Sequence, residues 1–209
     1  MNSRSEPLAA LALKTHKIYE RNAARFDAER PKGLHERVWL DRFTEWLPVN
    51  GSILDLGCGA GDPIAKFFMN QGFAVTGVDF SSAMLELAKA RFPGAEWILG
   101  DMRQVDLGRQ FHGIIGWNSF FHLTQPEQRS TLERLADHLA SGGALMLTVG
   151  PEAGEVDGHV GDDRVYHSSL SPDEYARILA RRHIEIVEFK AEDPDCDFQT
   201  VLLARKARD

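Results

Sequence analysis

The stretch ILDLGCGAGDP, residues 53 to 63, runs an apolar segment into Asp55 and then into Gly57, Cys58, Gly59, Ala60 and Gly61. Glycines at alternate positions strip side chains from a turn, so bare backbone can come up against a ligand. Asp79 ends the later run FAVTGVDF, and Asp101 ends EWILGD with Met102 directly behind it. A carboxylate brings two acceptor oxygens and can take both hydroxyls of a sugar diol. Each aspartate alone is a common turn former; three of them in register with the glycine turn point to one shared ligand. Cys58 reads as a small residue filling the tight turn, not as a nucleophile. Further on, GWNSFFHL gathers Trp117, Asn118, Phe121 and His122. His122 is the best base there, since imidazole titrates near neutral pH. Bonding loop backbone to shape a pocket is the plainer role for the same ring.

The elements that must position these residues alternate along the chain. SILDLG, FAVTGVDF, EWILGD, FHGIIGWN and ALMLTV read as five buried strands, without the polar alternation of a half-exposed sheet. Helices fall between them. Asp62 is placed to cap the first, with Pro63 at its first position and Ile64, Phe67 and Phe68 on its packing face. Ser81 and Ser82 cap the next, whose stripe includes Met84. The spacing of Leu132, Leu135, Ala136 and Leu139 predicts a helix over 126–140, closed by Ser141-Gly142-Gly143. Residues 8–47 read as two helices broken at RPKG. Residues 150–170 read as a Gly-rich acidic insertion carrying Tyr166 and His167. SPDE at 171–174 starts another helix, and IEIVEF and QTVLLAR finish as a hairpin at the sheet edge. Strand–helix alternation means right-handed βαβ units and a doubly wound α/β fold. The reading is one domain over 1–209: a helical lid at 1–47, a binding core at 48–150, an insertion covering the substrate side at 151–170, and a terminal helix and hairpin at 171–209.

Composition narrows the partners. Hydrophobic residues at 43% and charged residues at 26% suit a soluble globular protein. The net charge of −7, with scattered Lys and Arg, argues against a nucleic-acid partner. No apolar run approaches the roughly 20 residues that cross a bilayer, and LAALAL at 8–13 is too short for a signal core. Two cysteines leave reduced thiols and a cytoplasmic setting as the default. Asp157, His159, Asp162 and His167 match no tight metal-ligand spacing, so no metal is assigned.

Ligands of open α/β sheets sit beyond the strand ends where the strand order reverses, and the glycine turn stands there. A dinucleotide fingerprint wants glycines at 57, 59 and 62, but residue 62 is an aspartate that would face a pyrophosphate. No Gly-Lys-Ser/Thr follows, which excludes a P-loop. The spacing that fits is D-x-G-x-G-x-G, Asp55 through Gly61. With it the sequence resembles the class I S-adenosylmethionine-dependent methyltransferases of the small-molecule branch, over roughly residues 15 to 205. That resemblance implies a Rossmann-like, mostly parallel seven-stranded sheet with helices on both faces and an antiparallel C-terminal strand. It implies S-adenosyl-L-methionine as cofactor, with Asp55, Gly57, Cys58, Gly59 and Gly61 at its methionine end. Asp79 and Phe80 then meet the ribose, Asp101 and Met102 the adenine, and Met84 and Trp117 complete the wall. Tyr19 in YERNAARFDAER resembles the aromatic residue of an N-terminal lid, and plain helix packing explains it as well. Asn118, Phe121, His122, Tyr166 and His167 fall on the substrate side, although Trp117-Asn118 stands where an acidic residue is frequent.

The expected reaction is in-line methyl transfer to a small-molecule acceptor, with His122 the one catalytic candidate. A nicotinamide-dependent oxidoreductase and a cofactor-binding protein without catalysis remain the alternatives. The acceptor and the oligomeric state are not legible.

Overall fold

Apolar residues placed side by side in the strands divide between two cores, because neighbours in a strand point to opposite faces. Leu54, Ile114, Leu145 and Leu202 pack on one face of the sheet, and Ile53, Ile115, Met146 and Leu203 on the other. The computed structural model describes residues 7–208, so the first six residues of the N-terminal segment lie outside the described residues. Its central sheet has seven strands in the order β3-β2-β1-β4-β5-β9-β8. These are β1 (Ser52–Leu56), β2 (Ala74–Asp79), β3 (Glu96–Leu99), β4 (Phe111–Gly116), β5 (Leu139–Val149), β8 (Ile184–Asp193) and β9 (Gln199–Lys206). Only β9 runs antiparallel to its neighbours. Helices α3 (Arg37–Thr44), α4 (Ile64–Asn70) and α5 (Ser82–Arg91) cover one face, and α6 (Gln125–His138) and α7 (Pro172–Ala180) the other. The doubly wound α/β architecture is as the sequence indicates. The order reverses between β1 and β4, which puts the glycine turn and the end of β4 at one crevice.

Several local readings are corrected. Residues 8–47 hold three helices, not two: α1 (Leu8–Ala12), α2 (Thr15–Glu29) and α3. Asp62 does not cap α4, whose N-cap position is Pro63 without a side-chain bond; the Asp62 carboxylate accepts from Lys66 instead. Strand β5 begins at Leu139 and runs through the glycines taken for a helix stop, with Gly142 at φ 72 carrying the irregular pairing. Residues 151–170 are not a bare loop. They contain β6 (Gly154–Val160) and β7 (Asp163–Ser169), a separate antiparallel hairpin. The C-terminal hairpin forms, but β9 lies inside the sheet and only β8 forms its edge. Among the described residues no helix is long and apolar enough to cross a membrane.

The caps fare unevenly. Ser81 accepts from the Met84 N–H at 3.1 Å and Ser171 from the Glu174 N–H at 3.2 Å, as their types suggest. The Glu174 carboxylate pairs with Arg129 and takes no part in a capping box. Helix α6 instead carries a full capping box, Thr124 with Glu127.

Candidate functional site

The glycine turn leaves β1 with its backbone tied to β2: the Gly57 and Cys58 N–H groups both donate to the Val78 carbonyl. Gly57 sits at φ 68, and a Cβ there would fall 2.4 Å from Ser119 Cβ. Only glycine fits, because the backbone is left-handed and the neighbouring loop presses against it. Gly61, at φ 76, meets a different neighbour: a Cβ would lie 2.7 Å from the Trp97 ring, on the core side. Of the three glycines, Gly57 and Gly59 line the cleft, while Gly61 serves packing. Cys58 packs its sulfur over Gly77, and burial pushes its thiol well up, so no thiolate forms there.

Asp79 closes the turn from β2. Its oxygens accept from the Gly59 and Ser81 N–H groups, each at 2.8 Å, and lone pairs remain for a ligand. Burial raises its carboxyl. Asp55 lies beneath, 2% exposed, with Oδ2 fully buried and unpartnered among the described residues. Burial first, then the nearby Asp79 charge, pushes its carboxyl up to about 7, against the opposing pull of Arg30. Gly57, Gly59 and Asp79 open on a cleft whose wall Asp55 does not reach. Phe80, Met84, Met102 and Trp117 form its apolar wall, and Tyr19, Phe26 and Arg30 cross above it from α2 and the residue that follows it.

Helix α2 is held there by charge at both ends of α5. Glu20 accepts from the Ser82 hydroxyl at 2.6 Å and meets the Ala83 N–H at the start of α5. Asp27 grips Arg91 through both carboxylate oxygens at its end, and Lys32 at 3.1 Å. Those partners hold the Asp27 carboxyl down at about 2, the Arg91 bond being the largest cause.

His122 is fixed in one tautomer. Its Nδ1 lies 2.9 Å from the Tyr166 carbonyl, which can only accept, so Nδ1 carries the proton and donates. Nε2 is then bare and accepts from the Tyr19 hydroxyl at 2.9 Å. Burial, then the nearby His167 ring, pushes the imidazole down to about 3, so the ring is neutral at physiological pH. Phe121 and His167 pack against its ring edge-on or tilted and are not among the residues lining the cleft. The Tyr166 ring is buried within the hairpin, its hydroxyl donating to Glu155 at 2.5 Å. Asp101 also stays off the wall, because Arg103 clamps its carboxylate and holds it below the usual range. The structure thus brings Tyr19, Gly57, Gly59, Asp79, Phe80, Met84, Met102, Trp117, Asn118 and His122 to one cleft, with Asp55 beneath. Phe26, Arg30 and Ser119 were missed. Arg30 stood in RPKG, which reads as a helix break and gives no sign of a site.

A glycine turn after β1, an aspartate ending β2 and a β1/β4 crevice leave one comparison to settle the family. Residues 53–143 match the model of a family described as a methyltransferase domain. This core is similar to methyltransferase domains. The domain is 33% identical over 103 residues to a dTDP-4-amino-2,3,4,6-tetradeoxy-D-glucose N,N-dimethyltransferase of Saccharopolyspora spinosa, covering 48% of this chain and 41% of that protein. It is 38% identical over 79 residues to a trans-aconitate 2-methyltransferase of Paracidovorax citrulli, covering 37% of this chain and 29% of the relative. The matched stretch thus spans less than half the length of these curated relatives. A solved, S-adenosylmethionine-bound amino pentose methyltransferase from Micromonospora echinaspora superposes with a TM-score of 0.69 at 21% identity, over 91% of this chain and 97% of that one. That likeness shows a shared fold over nearly the whole chain.

Proposed function

We propose that the protein is an S-adenosylmethionine-dependent methyltransferase that moves a methyl group to a small-molecule acceptor by in-line displacement. The observation that carries the reading is the unpartnered, buried Oδ2 of Asp55, close to the Asp79 and Arg30 charges that line the cleft. A buried carboxylate oxygen without a partner demands a cation or a strong donor. The ammonium of the cofactor's methionine end is such a group, and Arg30 is the matching cation for its carboxylate. Asp79 has lone pairs left for the ribose diol, and the Phe80, Met84 and Met102 wall suits a purine. A pyrophosphate would meet the carboxylates of Asp55 and Asp79, which speaks against the nicotinamide alternative. The sugar N,N-dimethyltransferase and amino pentose methyltransferase relatives support the same class, and the two free cysteines suit a cytoplasmic setting.

The bound cofactor would supply a sulfonium methyl that is already strongly electrophilic. The chain's part is to hold the acceptor in line and keep water out, and alignment alone is worth up to about 7–11 kcal/mol. Tyr19 and Phe26 shut the cleft from above. His122, neutral and locked to the Tyr166 carbonyl, holds the Tyr19 hydroxyl in place, so we assign it a positioning role ahead of a base. Calorimetry of the full chain with S-adenosylhomocysteine tests the reading: clear binding, weakened by Asp79→Ala, is expected. No binding by the intact chain ends it, and a screen with labelled methyl donor separates an enzyme from a non-catalytic binder.

A further inference from the structure

Beside this cleft lies a second cavity with about 970 Å³ of unfilled space, open to solvent. Phe26, Arg30, Trp117 and Asn118 line both, so the two spaces meet at the carboxyl end of β4. The other walls come from distant parts of the chain: the α2–α3 connection, the tip of the β6–β7 hairpin and the turn between β8 and β9.

Two acceptors here lack a hydrogen-bond donor among the described residues. The Glu36 side chain is 9% exposed, and its ion partner Arg30 stands at 3.8 Å, beyond hydrogen-bonding range. Its carboxylate faces the cavity that it lines and has no closer partner among the described residues. Asn118 Oδ1 is fully buried and accepts from no group among the described residues. Its backbone is held left-handed at φ 51 while its N–H donates to Thr148 Oγ1 at 2.7 Å. Local strain together with an unfilled acceptor, where two cavities join, is the pattern of a ligand contact. Arg25, the other guanidinium on the wall, is already engaged by Glu29 and Asp162.

We propose that this second cavity takes the methyl acceptor, that the acceptor is a small-molecule amine, and that Asn118 and Glu36 select it. The inference rests on the methyltransferase reading above. Both unfilled groups are hydrogen-bond acceptors, so the molecule that completes them must donate. Asn118 Oδ1 takes one N–H of the unprotonated amine, which leaves the nitrogen lone pair free to attack. Glu36 takes a second donor on the same molecule, a hydroxyl or an ammonium. The nitrogen lone pair forms the new N–C bond, and the electrons of the broken C–S bond return to sulfur. The extra proton on the product nitrogen leaves to water through the open mouth. No buried base is required, in keeping with a His122 held neutral. An acidic acceptor would set its own carboxylate against Glu36.

Three ring compounds of matched size test this on the full chain with labelled methyl donor: trans-2-aminocyclohexanol, trans-1,2-cyclohexanediol and 2-hydroxycyclohexanecarboxylate. Their binding to the S-adenosylhomocysteine-loaded protein is followed separately by saturation-transfer NMR. The amino alcohol should bind, and be methylated, at least about tenfold better than the other two. Glu36→Gln should cost about tenfold in kcat/KM for it, through KM, while the Kd for S-adenosylhomocysteine stays within about twofold. Asn118→Gly, which tolerates the left-handed backbone, should lower kcat for the amino alcohol and weaken its binding to the S-adenosylhomocysteine-loaded protein in the NMR experiment. Preference for the diol or the acid, an unaffected Glu36→Gln, or no binding of any of the three overturns the proposal. Failure of S-adenosylhomocysteine to bind the unaltered chain would overturn the cofactor reading instead.

Discussion

The two cavities that meet at Asn118 are built in opposite ways. The first is local: the turn after β1 and the end of β2 supply its floor, and the backbone bonds from Gly57, Cys58 and Gly59 fix it to the sheet. The second is assembled from residues 22 to 199 of the chain, on helix ends, a hairpin tip and a strand turn that belong to no shared element. The floor is geometry imposed by the sheet, whereas the other wall can vary one segment at a time. Binding a common cofactor and binding a particular acceptor ask for just this division.

Substitutions can break that contrast. Asp79→Ala removes a carboxylate that organises the turn and would take a diol, so S-adenosylhomocysteine affinity should fall about 100-fold or more by calorimetry. Equal losses in Asp79→Ala and Glu36→Gln would mean the two cavities act as one site. Asp27→Asn should cost about 2 kcal/mol in denaturant melts at pH 7, because the folded carboxyl sits near 2 against 3.8 when free. The folded value is the lower, so this stabilisation is complete above about pH 4 and fades as pH falls toward 2. A loss that persists at pH 2 would separate it from the ion pair.

Asp55 runs the other way. Its folded carboxyl titrates near 7 against 3.8, so the fold holds that proton more tightly than the free chain does. It therefore weakens the empty protein as pH climbs from about 4 to 7. A ligand ammonium needs it ionised, so below pH 7 binding should release a proton and lose up to about tenfold in affinity per pH unit. Calorimetry in buffers of different ionisation heat reads that proton, and its absence would detach Asp55 from the ligand. Tyr19→Phe is the mildest test. Removing one hydroxyl leaves His122 Nε2 without its donor and should cost about 1 kcal/mol, seen as faster release of S-adenosylhomocysteine.

What could be read beforehand follows the same divide. Asp55, Gly57, Gly59 and Asp79 share a short signature because one turn and one strand end create the geometry, and the buried strands announce the sheet that carries them. Glu36 and Arg30 give no such signal, since they reach the cavity only through the packing of α2 and α3. The hairpin strand β6 escaped notice because almost every residue in it is exposed, so it lacks the apolar alternation that marks a strand. Asp101 had the right position in sequence, but Arg103, two residues on, captures its carboxylate.

The carboxylates of Glu20 and Asp27 pin α2 to both ends of α5, beside the cleft. A ligand that leaves by parting α2 from α5 must break these contacts, of which the Asp27 pairs join opposite charges. Such contacts weaken as ionic strength rises. Where exit of spent product sets the pace, moderate salt should quicken turnover, the reverse of what simple screening of a charged substrate would do.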